Sequence, residues 1–189
     1  MKQINTYINE KLHVTTKSHL YSCRPETKDE LKEIIIKRIK EDGYDCDMND
    51  IDVSNITDMS HLFDVGVVNI NNLLKKFNGD ISMWDVSNVK DMHSMFRKCE
   101  KFNCDLSQWD VSNVTNMELM FYGCKELNCD ISRWDVSNVT NIDRMFMKCT
   151  NFKQNLDDWH VSNVKDIWNA FTFCQTQPKW YDRNKWETL

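Results

Sequence analysis

A chain of 189 residues fits one domain or one capped repeat array, and 41% apolar residues with seven Trp suffice for a sizeable core. A net charge of −5, with no Lys/Arg run longer than two residues, leaves no footprint for nucleic acid. No apolar run approaches a membrane span and the first 20 residues lack the apolar stretch of a secretion signal, so the expectation is a cytoplasmic protein whose eight Cys stay reduced.

In chain order, residues 1–50 read as an N-terminal cap. Leu12, Val14, Leu20 and Tyr21 admit a hairpin within residues 1–24. Thr27-Lys28-Asp29-Glu30 is a capping box, and it predicts a helix over 28–42 with Leu31, Ile34, Ile35 and Ile39 as its apolar stripe. Gly43 supplies the left-handed stop.

Residues 51–175 repeat. Trp84, Trp109, Trp134 and Trp159 are 25 residues apart, as are Phe96, Phe121, Phe146 and Phe171, and Cys99, Cys124, Cys149 and Cys174. Asp-Val-Ser-Asn starts at Asp85, Asp110 and Asp135 and returns with His160 in the first place. A first copy at Asp52 stands 33 residues before the second, so eight extra residues lie between Phe63 and Phe77, an insert at about 64–76. Ile81, Trp84 and Val86 have the spacing of a leucine-rich-repeat strand, and Met92, Met95, Phe96 and Cys99 that of one helix face. Asn88 stands where it would cap that helix. The expected fold is an α/β repeat solenoid of five units, each a short parallel strand plus a short helix, with a helical N-terminal cap. Stacked Trp and Phe columns would then form its core. Pro178 ends the pattern, and residues 176–189, with Trp180 and Trp186, are expected to fold over the last unit.

The units Trp84-Asp-Val-Ser-Asn-Val-Lys-Asp-Met92…Met95-Phe96…Cys99 and Trp109-Asp-Val-Ser-Asn-Val-Thr-Asn-Met117…Met120-Phe121…Cys124 resemble the BspA-type leucine-rich repeat, or DUF285 repeat. The segment from Thr27 to Met59 is similar to the entry segment of those proteins, so the resemblance covers residues 25–175. It implies protein binding or adhesion and no enzymatic activity. Unlike the surface members, this chain is expected to carry no secretion signal or lipid anchor. It also places Asn88 one position before the Asn that ends an ordinary leucine-rich-repeat strand. A single Ala among abundant Asn, Lys and Ile suggests an AT-rich genome, such as that of a small-genome bacterium, a phage or a large virus.

Chemistry finds little purchase in the pattern. Cys99 and Cys104, or Cys124 and Cys129, are too widely spaced for a zinc pair and have no companion His pair, so the Cys column reads as buried thiols. Asp80, Asp105 and Asp130, with Asp85, Asp110 and Asp135, match no calcium loop and read as acceptors for turn amides. The five His are scattered, and no phosphate loop or hydrolase motif occurs. No catalytic residue, cofactor or metal ligand is expected.

A partner would meet the positions that vary while the core repeats. On the strand side these are Met83, Gln108, Arg133 and Asp158, flanked by His160. On the helix side they are Glu118, Asp143 and Trp168, then Tyr122 and Met147. The apolar insert, with Val65, Val67, Val68, Ile70, Leu73 and Leu74, is a further candidate. The expected function is a non-catalytic protein–protein interaction module, an intracellular binder that blocks a host protein as phage or viral inhibitors do. The alternative is a BspA-like surface adhesin.

Overall fold

The computed structural model describes residues 21–66 and 71–182. The expected N-terminal hairpin lies almost wholly outside them, as does Trp186.

The first helix, α1 (Lys28–Asp42), forms where its capping residues place it. The Thr27 hydroxyl accepts the Glu30 amide at 3.2 Å, and the Glu30 carboxylate reaches back to the Glu26 amide at 2.9 Å. Leu31, Ile35 and Ile39 are buried, and Gly43 stops the helix at φ 94° and ψ −177°, outside the left-handed well but still a glycine conformation. Lys28 reaches Asp58 at 2.6 Å and Ser60 at 2.8 Å, and Lys32 donates to the His61 carbonyl at 3.0 Å. These contacts seat α1 on the open face of the first repeat.

The α/β expectation fails beyond that point. Among the described residues only α1 and the short α2 (Asn71–Lys75) are helical, and strand pairing is limited to isolated parallel bridges. The chain is therefore not an α/β repeat solenoid. Each repeat is one tier built almost entirely of turns. In the second tier, amides close turns from Trp84 to Ile81, Val89 to Val86, Met95 to Met92, Cys99 to Phe96 and Phe102 to Cys99, at 2.9–3.2 Å. A β-turn brings its first and fourth residues to the same side. Consecutive turns thus turn apolar residues inward at offsets of three and four, and the same offsets describe a helix face. Phe96 is fully buried and Met92, Met95 and Cys99 with it, but no helix carries them.

Two further facts prevent a helix there. The amides of Met92, Ser94, Phe96 and Lys98 donate to carbonyls of the next tier, Asn116, Glu118, Met120 and Tyr122, at 2.7–2.9 Å, so they are not free for bonds within the segment. Ser94, Leu119, Arg144 and Asn169 hold φ of 52–56°, and Lys98, Gly123, Lys148 and Phe173 hold 65–74°, so every such tier reverses twice into left-handed backbone. Asn88 is no helix cap either. Its amide donates to the Ser54 carbonyl of the preceding tier at 2.9 Å, and Asn113, Asn138 and Asn163 repeat the bond at 2.7–2.8 Å.

Equivalent side chains lie one above another. Phe63, Phe96, Phe121, Phe146 and Phe171 form a stack with successive centroids 5.1, 5.6, 5.7 and 5.2 Å apart. The indoles of Trp84, Trp109, Trp134 and Trp159 donate to Met48, Ile81, Leu106 and Ile131 at 2.9–3.1 Å. Trp180 continues this column early, donating to Leu156 at 2.7 Å, while Tyr181 stands edge-on to Phe171 at 5.1 Å. Together they cover the apolar end of the last tier. Within the insert, Val65 and Leu74 are buried and Leu73 packs against the core, while Val67, Val68 and Ile70 lie outside the described residues.

Candidate functional site

The polar columns are occupied by the fold. Asp80, Asp105, Asp130 and Asn155 each accept the amide two residues on, at 2.9–3.0 Å. Asp85, Asp110 and Asp135 do the same at 3.0–3.2 Å. Asp91, Asn116 and Asn141 make a third such column at 2.8–3.1 Å. These are Asx turns, three in each of the tiers that contain Asp80, Asp105 and Asp130 and one, at Asn155, in the last, and Asn serves in them as well as Asp. Bonds from Ser132 and Ser137 hold the Asp130 and Asp135 carboxyls below their ordinary range.

The thiol column is likewise spent inside. Cys99, Cys124, Cys149 and Cys174 donate to the carbonyls of Phe63, Phe96, Phe121 and Phe146 at 2.9–3.1 Å. Burial pushes the first three thiols well up, and it lifts Cys104 to about 11 and Cys129 and Cys174 to about 12. A thiol held protonated is a poor nucleophile and a poor metal ligand. All eight Cys are free, and no group of His, Cys, Asp or Glu among the described residues is arranged to hold a metal.

The varying positions divide into two sets. Met83, Gln108, Arg133 and Asp158 are the outer central residues of the turns that Trp84, Trp109, Trp134 and Trp159 close, and all four are exposed. Met83 is 75% exposed, and with Asp85, Gln108 and Asp110 it borders a shallow groove of about 540 Å³. His160 is exposed in the Asp135 column.

Glu118, Asp143 and Trp168 each precede a left-handed residue, and they share the lining of a second depression of about 450 Å³ with Asn141, Lys165 and Asp166. The Glu118 carboxylate accepts from Asn141 at 3.2 Å, and Asp143 pairs with Arg144 at 2.5 Å. The Arg144 guanidinium also lies 4.1 Å over the Trp168 ring. Burial raises the Asp143 carboxyl, with Glu118 and Asp166 adding to the rise. Tyr122 and Met147 are only half-exposed, and the Tyr122 ring is taken up by Lys148 at 5.3 Å, whose hydrogen bond lowers the phenol.

Two features escaped the sequence reading. Phe173 is 64% exposed in a column otherwise held by Lys98, Gly123 and Lys148. Only its break with that column signals it. The scattered His reading also missed a pair: His61 and His93 have ring centroids 4.7 Å apart because the first two tiers stack. His61 Nδ1 meets the fully buried Asp64 carboxylate at 2.7 Å, and Arg97 and the Gly66 amide complete the shell around Asp64 at 3.3 and 2.6 Å. The shell neutralises the insert's one buried charge where it leaves the first tier.

A family model described as Mycoplasma protein of unknown function, DUF285, matches residues 67–186. No curated protein and no solved structure matches the chain.

Proposed function

We propose that this chain, which belongs to the DUF285 family, is a non-catalytic protein-binding scaffold whose tiers present varied side chains from an invariant frame. The observation that carries the reading is a division of labour. The recurring Trp, Phe, Cys, Asp and Asn columns are used up in packing and in bonds between or within tiers. Of the positions that change from tier to tier, Met83, Gln108, Arg133, Asp158, His160 and Trp168 are exposed and Glu118, Asp143, Tyr122 and Met147 partly so; Met83 and Trp168 are large apolar groups for which solvent offers no use. Their chemistry differs at every step, as recognition of an irregular protein surface requires.

The sharper form of the proposal is a binder that occupies and blocks a protein of the host cell. No helix among the described residues is long and apolar enough to cross a membrane. Photo-crosslinkers placed at Gln108 and Glu118 in the intact chain test it in a host lysate. A reproducible protein adduct, lost on Met83→Asp or Trp168→Asp and accompanied by inhibition of the adducted protein, is the expected result. Adducts absent from both positions would end the protein-binding reading. An adduct found only on intact cell surfaces would replace the blocking role with adhesion.

A further inference from the structure

The last tier differs from those before it in a way that selects a binding edge. Ile142, Arg144, Phe146 and Lys148 donate their amides to Asp166, Trp168, Ala170 and Thr172 of the following tier. The corresponding donors of that tier, Ile167, Asn169, Phe171 and Phe173, have no acceptor among the described residues. Trp180 and Tyr181 close over the Phe171 ring at 5.7 and 5.1 Å, and among the described residues neither ring contacts the Trp168 ring. Between Ile167 and Asn169 the column His93, Glu118, Asp143 turns aromatic at Trp168, which is 44% exposed. Unpaired backbone donors beside an exposed aromatic form an edge for another chain.

Building on the protein-binding reading, we infer that this edge takes an extended, basic segment of a partner protein. Its carbonyls, offered at every second residue, accept from the Ile167 and Asn169 amides, as tier carbonyls do elsewhere. A lysine or arginine side chain enters the neighbouring depression. Glu118, Asp143 and Asp166 line it, Lys165 opposes them, and Arg144 is already engaged by Asp143 and Trp168. Asp166 is exposed and Glu118 half-exposed, so these two carboxylates meet the incoming cation, while Asp143 Oδ1 is sealed from solvent. A second copy fits poorly. Placed tail to tail it would set donors against donors, and placed head to tail it would meet α1 on the opposite face.

Backbone hydrogen exchange on the full chain tests this, with a short synthetic peptide of alternating lysine and valine as probe and its glutamate–valine counterpart as control. The lysine peptide should slow exchange at Ile167 and Asn169, and Trp168→Ala or Asp166→Asn should weaken its binding about tenfold, whereas Met83→Ala should not. Equal protection by the glutamate peptide, or no protection by either, overturns the inference. Protection that grows with protein concentration in the absence of peptide also overturns it, in favour of self-association. A natural partner that crosslinks only beside Met83 removes this edge as the site while leaving the protein-binding reading intact.

Discussion

The indole N–H of Trp109 donates to the carbonyl oxygen of Ile81, one tier back, at 3.1 Å, while the ring stays 4% exposed. One side chain thus seals the core and satisfies a buried backbone acceptor between tiers. Trp109→Phe keeps an aromatic ring but orphans that carbonyl and leaves a void. It should lower stability by about 2–4 kcal/mol, read as a fall in the urea midpoint. A loss under about 0.5 kcal/mol would show that the bond between tiers carries nothing.

Asp110 accepts the Ser112 amide at 3.0 Å, and Asn155 makes the same turn bond to Asp157 at 2.9 Å in another column. The bond needs an oxygen, not a charge. Asp110→Asn should therefore leave the urea midpoint nearly unchanged, whereas Asp110→Ala should cost about 1 kcal/mol. Added calcium or a chelator should shift neither protein. A calcium-dependent midpoint lost in Asp110→Asn would restore a cation site.

The period, the buried columns, α1 and the role of the Asp columns were legible because each rests on local rules: spacing, capping and Asx chemistry. The tier's backbone was not. Met92, Met95, Phe96 and Cys99 bury the same residues whether a helix or a run of turns carries them, so their spacing cannot choose. The choice is made by amides such as Ser94 N–H, which reach a carbonyl 24 residues ahead, and that partnership is invisible in a single unit. Of the varying columns, the one with Met83, Gln108, Arg133 and Asp158 is exposed throughout, whereas Glu118, Asp143, Tyr122 and Met147 are only partly exposed, Glu118 and Tyr122 against partners from the neighbouring tier. Phe173 and the His61–His93 contact were not legible, since one needed exposure and the other the exact stacking of the first two tiers.

The thiols set an alkaline limit. An unfolded thiol ionises near pH 9, but burial holds Cys104 protonated to about 11 and Cys129 and Cys174 to about 12. The folded state is thereby favoured fully below pH 9, and the advantage fades as pH rises from 9 toward 12, because only the unfolded chain releases these protons. The urea midpoint should hold steady from pH 7 to 8.5 and then fall. At pH 8 the thiolate share of Cys104 is about one in a thousand, so an alkylating reagent should label it far more slowly in the folded than in the urea-unfolded chain. Rapid labelling of the folded chain at Cys104 would contradict its burial.

Ser94 carries two costs at once. Its φ is 54°, and its hydroxyl, in a residue 1% exposed, has no partner among the described residues. Glycine already fills a left-handed position at Gly123, with φ 74°. Ser94→Gly removes both the backbone strain and the stranded hydroxyl, against a looser unfolded chain and a small loss of packing. The balance should favour the variant by about 1 kcal/mol. Ser94→Ala removes only the hydroxyl and keeps a Cβ in the left-handed well, so its midpoint should fall between those of the parent and the glycine variant. The order glycine above alanine above serine in urea midpoint is the expected outcome. Serine above glycine would mean that the hydroxyl is bonded and that the tier depends on it.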